Sequence, residues 1–137
     1  MKADAKGHWA EFLARLLFRL KGYRIVAVNY VTGRGTNAGE VDFVACRQNV
    51  IVFVEVKQRS SLEKAAYAVK PRQQRRIWRA AEAFLQKHPQ YAAFDVRFDA
   101  VTVCLPLKSV ICRTLSGFEI ADGKRFQALM QTSGARR

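Results

Sequence analysis

Asp42, Glu55 and Lys57 are the residues in this chain whose types and spacing suit chemistry, provided the chain folds back between them. Residues 40–47 and 50–57 are two apolar stretches rich in Val and Phe, separated by Gln48-Asn49, and this pattern predicts an antiparallel hairpin. With Gln48-Asn49 as the loop, Arg47 faces Val50 and Asp42 comes opposite Glu55. Residues paired across such a ladder project from one face of the sheet. Alternation gives the same register: Val41, Phe43 and Ala45 share a wholly apolar face with Val50, Val52, Val54 and Val56. The other face carries Glu40, Asp42, Val44, Ile51, Phe53, Glu55 and Lys57, and a one-residue slip would push carboxylates into the apolar face.

Two carboxylates with Cβ atoms ~5 Å apart repel by a few kcal/mol at an effective dielectric near ~20. A shared proton, a basic side chain or a divalent ion must offset that. Lys57, two residues beyond Glu55 on the same face, supplies part of the charge. A hard cation held by one or two carboxylates and completed by water and phosphate oxygens is the usual Mg²⁺ arrangement. The set therefore predicts a metal-assisted phosphodiester hydrolysis site. The plainer reading is a solvated hairpin face with a Glu–Lys ion pair. Glu11 adds a fourth group: at ~100° per residue it points away from a Trp/Leu stripe and shares its face with Gly7, Ala14 and Phe18. Small residues there let that face lie close against another element, although a solvent-facing Glu fits the spacing equally well.

Several elements must position these groups. Residues 4–21 have helical spacing of Trp9, Phe12, Leu13, Leu16, Leu17 and Leu20, with Gly22 beyond. Residues 23–29 read as a strand and 32–39 as a loop. Ser60 and Glu63 suggest a capping box. Pro71 suits the first turn of a helix over 71–87, with Ile77, Ala81, Phe84 and Leu85 on its apolar side. Residues 94–105 alternate as a strand, and 109–114 extend the sheet as an edge. The fold class expected is α/β in the order αβββαβ, a single domain over 1–130 followed by a disordered tail at 131–137.

Composition agrees with one folded domain. The 137 residues are 50% hydrophobic and 26% charged, which excludes a disordered or fibrous chain. The 24 Lys+Arg against 11 Asp+Glu leave +13, an excess that points to a polyanionic partner, nucleic acid first. No apolar run approaches the ~18–20 residues of a membrane span, and the first residues do not read as a secretion signal, so a cytoplasmic protein is expected. Cys46, Cys104 and Cys112 lack zinc spacing and read as buried reduced thiols.

The segments GHWAEFLARLLFRLKGYRIVAVNY, AGEVDFVA, VFVEVKQRSS, AVKPRQQRRIWRAAEAFL and RFDAVTV, in this order over residues 5–104, resemble the bacterial YraN family of endonuclease-like proteins. That family is placed in the PD-(D/E)xK nuclease superfamily, near the archaeal Holliday-junction resolvases. The resemblance implies a restriction-endonuclease-like core, a mixed β-sheet flanked by helices. It also implies that Asp42 and Glu55 are metal-binding acids and that Lys57 is the motif lysine. Glu11 matches the acid that some of these nucleases bring from the first helix, and Gln58 the polar residue after the lysine. Pro71-Arg72 is followed by Gln73 where the family usually has a Pro-Arg-Lys-like run.

On this basis Asp42 and Glu55 are expected to hold one Mg²⁺ or Mn²⁺, with the Val56 backbone carbonyl as a further ligand. Lys57 then orients a water or offsets charge on the phosphate, and Glu11 completes the metal shell or binds a second ion. Nucleic acid, DNA before RNA, is expected on the basic run Lys70, Arg72, Arg75, Arg76 and Arg79, whose arginines recur at i, i+3, i+4 and i+7. Arg34 in the Gly-rich loop is a further phosphate contact. Trp78 suits base stacking or core packing, and His8 and His88 read as structural. By analogy with junction resolvases a homodimer is expected. A non-catalytic nucleic-acid-binding module, or an adaptor docking through an apolar face, stays open beside the nuclease.

Overall fold

The computed structural model describes residues 2–33, 38–59, 70–104 and 109–114, with backbone alone for 2–7, 109 and 111–114. Helix α1 (Lys2–Leu20) leads into β1 (Arg24–Thr32), β2 (Gly39–Arg47) and β3 (Val50–Arg59). Helix α2 (Pro71–Lys87), a 3₁₀ turn at Pro89–Tyr91, β4 (Asp95–Cys104) and β5 (Ser109–Thr114) follow. The strands form one mixed sheet in the order β1-β2-β3-β4-β5. Only β3 and β4 run parallel, from Val50↔Asp95 to Arg59↔Cys104. A parallel pair needs a crossover, and α2 lies in the chain between them. This is an α/β fold consistent with a restriction-endonuclease-like core. β5 adds the edge strand expected at 109–114 to the order αβββαβ.

The sheet is covered on both faces. On one face Ile77, Ala80, Ala81, Phe84 and Leu85 of α2 pack on Val44, Ile51, Phe53 and Phe98 of the sheet. Phe53 and Tyr30 both meet the Phe84 ring edge-on, at 5.8 and 5.3 Å. Under α1 lie Ala10, Ala14, Phe18, Phe43, Ala45, Val52, Val54, Val101 and Val103. Small Ala10 and Ala14 let the helix come close to the strands, and Phe18 meets Phe43 edge-on at 5.2 Å. The Glu11/Ala14/Phe18 side thus faces the sheet, while Trp9, Phe12, Leu16 and Leu20 are exposed.

The hairpin register is the expected one along most of its length, from Arg47↔Val50 to Phe43↔Val54, and Gln48 takes the positive φ (54°) that a tight hairpin turn requires. The alternation then breaks. Val41 packs on the α2 side with Val44, not with Phe43 and Ala45, so the apolar face expected for Val41 is corrected here. The cause lies across the strand: Asn29 of β1 has φ 52°, and the β1–β2 pairing passes from Val28↔Phe43 to Tyr30↔Val41 without an Asn29–Asp42 pair. Asn tolerates this left-handed conformation better than most residues. The register is unchanged across this step, but Asp42 is left paired with neither β1 nor β3.

Trp78 stacks on Phe98 (6.3 Å, 21°) and belongs to the core. The His88 ring lies on Phe84 and its Nδ1 is 2.7 Å from the Phe84 carbonyl oxygen, a structural role. Cys46 and Cys104 are buried free thiols. The Cys112 side chain, Arg34, the Ser60–Glu63 capping box and the 131–137 tail lie outside the described residues. Among the described residues, no helix is long and apolar enough to cross a membrane.

Candidate functional site

Four acids and two bases gather where β2 begins and β3 ends, between the two helices. Asp42 is not the simple cross-strand partner of Glu55 that the register predicts, because the ladder stops at Phe43↔Val54. Its released carboxylate instead accepts a 2.6 Å hydrogen bond from the Val56 N–H, bridging β2 to β3 by a side chain. In an extended strand the N–H and C=O of one residue leave by the same edge. The Val56 carbonyl is therefore directed to the Asp42 side of β3.

Electrostatics bind the acids into one cluster. Burial, followed by the charge of Glu55, pushes the Asp42 carboxyl from its ordinary 3.8 up to about 8. The Val56 N–H opposes that shift, whereas Glu11 reinforces it by charge and by a side-chain hydrogen bond. Glu55 is also raised, first by burial and further by Glu40, against the opposing Lys57 and Arg76 charges. Near neutral pH, Asp42 thus retains a proton that a cation would displace. Glu55 holds Lys57 at 3.1 Å, and both side chains are mostly buried. A merely solvated hairpin face would show neither the burial nor the shifts.

A small open cleft of about 70 Å³ is lined by Glu40, Asp42, Glu55, Gln73 and Arg76. It admits an ion with a few waters, and a nucleotide would have to lie across its mouth. Arg76 does not stand free on the expected phosphate track. Its guanidinium donates to the Glu40 carboxylate and, at 3.3 Å, to the Ala38 carbonyl oxygen. Gly39 makes this possible: a Cβ there would lie 2.5 Å from the Ala80 nitrogen and 2.9 Å from the Arg79 carbonyl carbon. The start of β2 is thereby laid directly on α2, and Arg76 is delivered to the acids.

Glu40, Gln73 and Arg76 as cleft-lining groups are what the sequence reading missed. Glu40 shares the Asp42 face of β2 two residues away, and that proximity is the signal the sequence offers. Gln73 and Arg76, at i and i+3 of α2, gave no sign of facing β2. Lys70, Arg72 and Arg75 are exposed near the start of α2, Arg79 is half-buried, and Gln58 is half-buried with its Oε1 enclosed and without a hydrogen-bond partner among the described residues.

The donor set is all carboxylate oxygen plus a nearby carbonyl, the chemistry of a hard divalent cation. Among the described residues, no group of three or more His, Cys, Asp or Glu side chains is placed to hold a metal ion, so Glu11 is not brought into a shared shell with Asp42 and Glu55. An ion here would be held as Mg²⁺ usually is, by one or two carboxylates with water and substrate oxygens completing its shell.

A family model described as an uncharacterised protein family, UPF0102, matches residues 10–103. The chain belongs to the UPF0102 family. It is 50% identical over 101 residues to a UPF0102 protein of Paramagnetospirillum magneticum, covering 74% of this chain and 78% of that protein. It is 52% identical over 94 residues to one of Bradyrhizobium diazoefficiens, covering 69% and 68% respectively. The UPF0102 span runs from Ala10 to Val103 and so includes Glu11, Glu40, Asp42, Glu55, Lys57 and Arg76.

Proposed function

We propose that this UPF0102 chain is a metal-dependent nuclease that hydrolyses phosphodiester bonds in nucleic acid, with structured or branched DNA as its substrate class. The observation that carries the reading is half-buried Asp42, tied at 2.6 Å to the Val56 N–H and lining one cleft with Glu55 and Glu40, a setting that pushes its carboxyl up to about 8. Perturbed carboxyls of this kind cluster at functional sites, and a bound cation would offset their repulsion. The motif resemblance to YraN-type and PD-(D/E)xK nucleases and the net charge of +13 support the same reading.

When bound, Mg²⁺ or Mn²⁺ supplies Lewis acidity toward a phosphate oxygen and acidifies a water. Asp42 and Glu55 hold it, with the Val56 carbonyl on the same edge. Glu11 supports Asp42 through their hydrogen bond. Lys57, fixed by Glu55, orients the attacking water or offsets charge developing on the phosphate. Exposed Lys70, Arg72 and Arg75 bind the backbone phosphates, Arg79, Arg34 and Gln58 extend that contact, and Arg76 forms the cleft wall.

The test incubates purified protein with branched, single-stranded and duplex substrates, with and without Mn²⁺, beside Asp42→Ala and Glu55→Ala. Mn²⁺-dependent cleavage by the wild type, lost in both variants with binding retained, is the expected result. Tight binding without cleavage of any substrate would favour the non-catalytic module.

A further inference from the structure

A helix covered on one side by a sheet normally turns a polar face to solvent. α1 does not. Its sheet side is made by Ala10, Ala14 and Phe18, and its opposite side carries Trp9 (53% exposed), Phe12 (45%), Leu16 (40%) and Leu20 (78%). At 100° per residue these four fall within about 80° of arc, centred roughly opposite the sheet-facing line. Trp9 and Phe12 are already stacked at 5.7 Å (16°). Half-buried Leu13 and Leu17 continue the apolar surface around one flank. A helix apolar on both sides is the pattern of one buried between two layers. Only one layer is supplied by the sheet.

We infer that this stripe is a homodimer interface, packing antiparallel on α1 of a second copy of the chain about a two-fold axis between Phe12 and Leu16. The spacing 9, 12, 16, 20 is the three-and-four repeat of a helix–helix seam. In an antiparallel pair it is its own complement: Trp9 of one protomer meets Leu20 of its partner, and the two Phe12/Leu16 pairs cross at the centre. The exposed apolar area of the four side chains is on the order of 400 Å² per protomer. A standard interface buries ~800 Å² per partner, somewhat over half of it apolar, so the stripe supplies most of the apolar part. Glu11 lies on the sheet-facing flank of the same helix, so pairing leaves the acid cluster free and steadies the element that brings Glu11 to Asp42.

The inference is independent of the nuclease reading and is tested without nucleic acid. Sedimentation equilibrium of the full chain at tens of micromolar should give twice the 15.6 kDa protomer mass. Leu16→Glu and, independently, Phe12→Lys should each weaken the dimer about a hundred-fold or more while leaving the far-UV circular dichroism of the protomer native. Val31→Lys, an exposed apolar position on β1 away from the stripe, should leave the dimer intact. A monomeric wild type would overturn the inference and assign the stripe to a different partner. A dimer that survives both stripe substitutions, or one lost only in Val31→Lys, would overturn it by placing the interface elsewhere.

Discussion

Replacing Asp42 by Asn probes the acid cluster without touching the fold. The amide is nearly isosteric, and its oxygen can still accept the Val56 N–H, so the bridge between β2 and β3 survives. What disappears is a titratable carboxyl raised from 3.8 to about 8 by burial, Glu55 and Glu11. A carboxyl whose folded pKa lies above its unfolded one costs the folded state nothing below pH 3.8. Its penalty grows as pH rises and is complete above about 8. At ~1.4 kcal/mol per pH unit the full span corresponds to at most ~5–6 kcal/mol, and rearrangement of the surrounding side chains and water reduces the expectation to ~2–4 kcal/mol. Urea unfolding in chelator at pH 5, 7 and 9 measures it. The wild type should lose ~1.5–3 kcal/mol of this relative to Asp42→Asn between pH 5 and 9, since about 30% of the span lies below pH 5, and millimolar Mn²⁺ should recover much of the loss. Parallel pH profiles for the two proteins would refute the clustering of these acids.

Further consequences follow from the same geometry. Gly39→Ala drives a methyl into the α2 backbone and should cost about 2–3 kcal/mol or more of stability in urea unfolding, since neither backbone can give way cheaply. Arg76→Ala leaves the half-exposed Glu40 unpaired beside Glu55, so cleavage should fall at least ten-fold with little change in melting temperature. Exposed Arg72→Ala and Arg75→Ala should weaken binding across all substrates and each reduce the salt dependence of binding by about one counterion, read from titrations at several salt concentrations.

Local physics made much of the fold legible. α2 occupies Pro71–Lys87 as expected, because Pro71 at the first turn and Pro89 beyond the end punctuate an amphipathic run. The hairpin register follows from alternation along five pairs, where an apolar sheet face tolerates no slip. Alternation failed at Val41 because the left-handed Asn29 sits on the neighbouring strand, and no pattern within β2 reports on it. α1 gave the site its fourth acid but left two orientations for Glu11, since helical period fixes relative faces and not which face meets the sheet. Ala10, Ala14 and Phe18 decide it by fitting close to the strands, against the stronger apolar stripe. Glu40, Gln73 and Arg76 converge only once Gly39 seats β2 on α2, a tertiary contact that neither segment encodes alone.

Hydrolysis at this site requires the acids around Asp42 to take up a divalent ion. Isothermal titration of Mn²⁺ into the full chain at pH 8, alone and with a branched oligonucleotide present, measures this directly. Saturable binding at one or two sites is expected, strengthened by the oligonucleotide, weakened as pH falls to 6, and abolished in the folded Asp42→Ala protein. Absence of uptake under both conditions, or uptake of equal strength in Asp42→Ala, would contradict it.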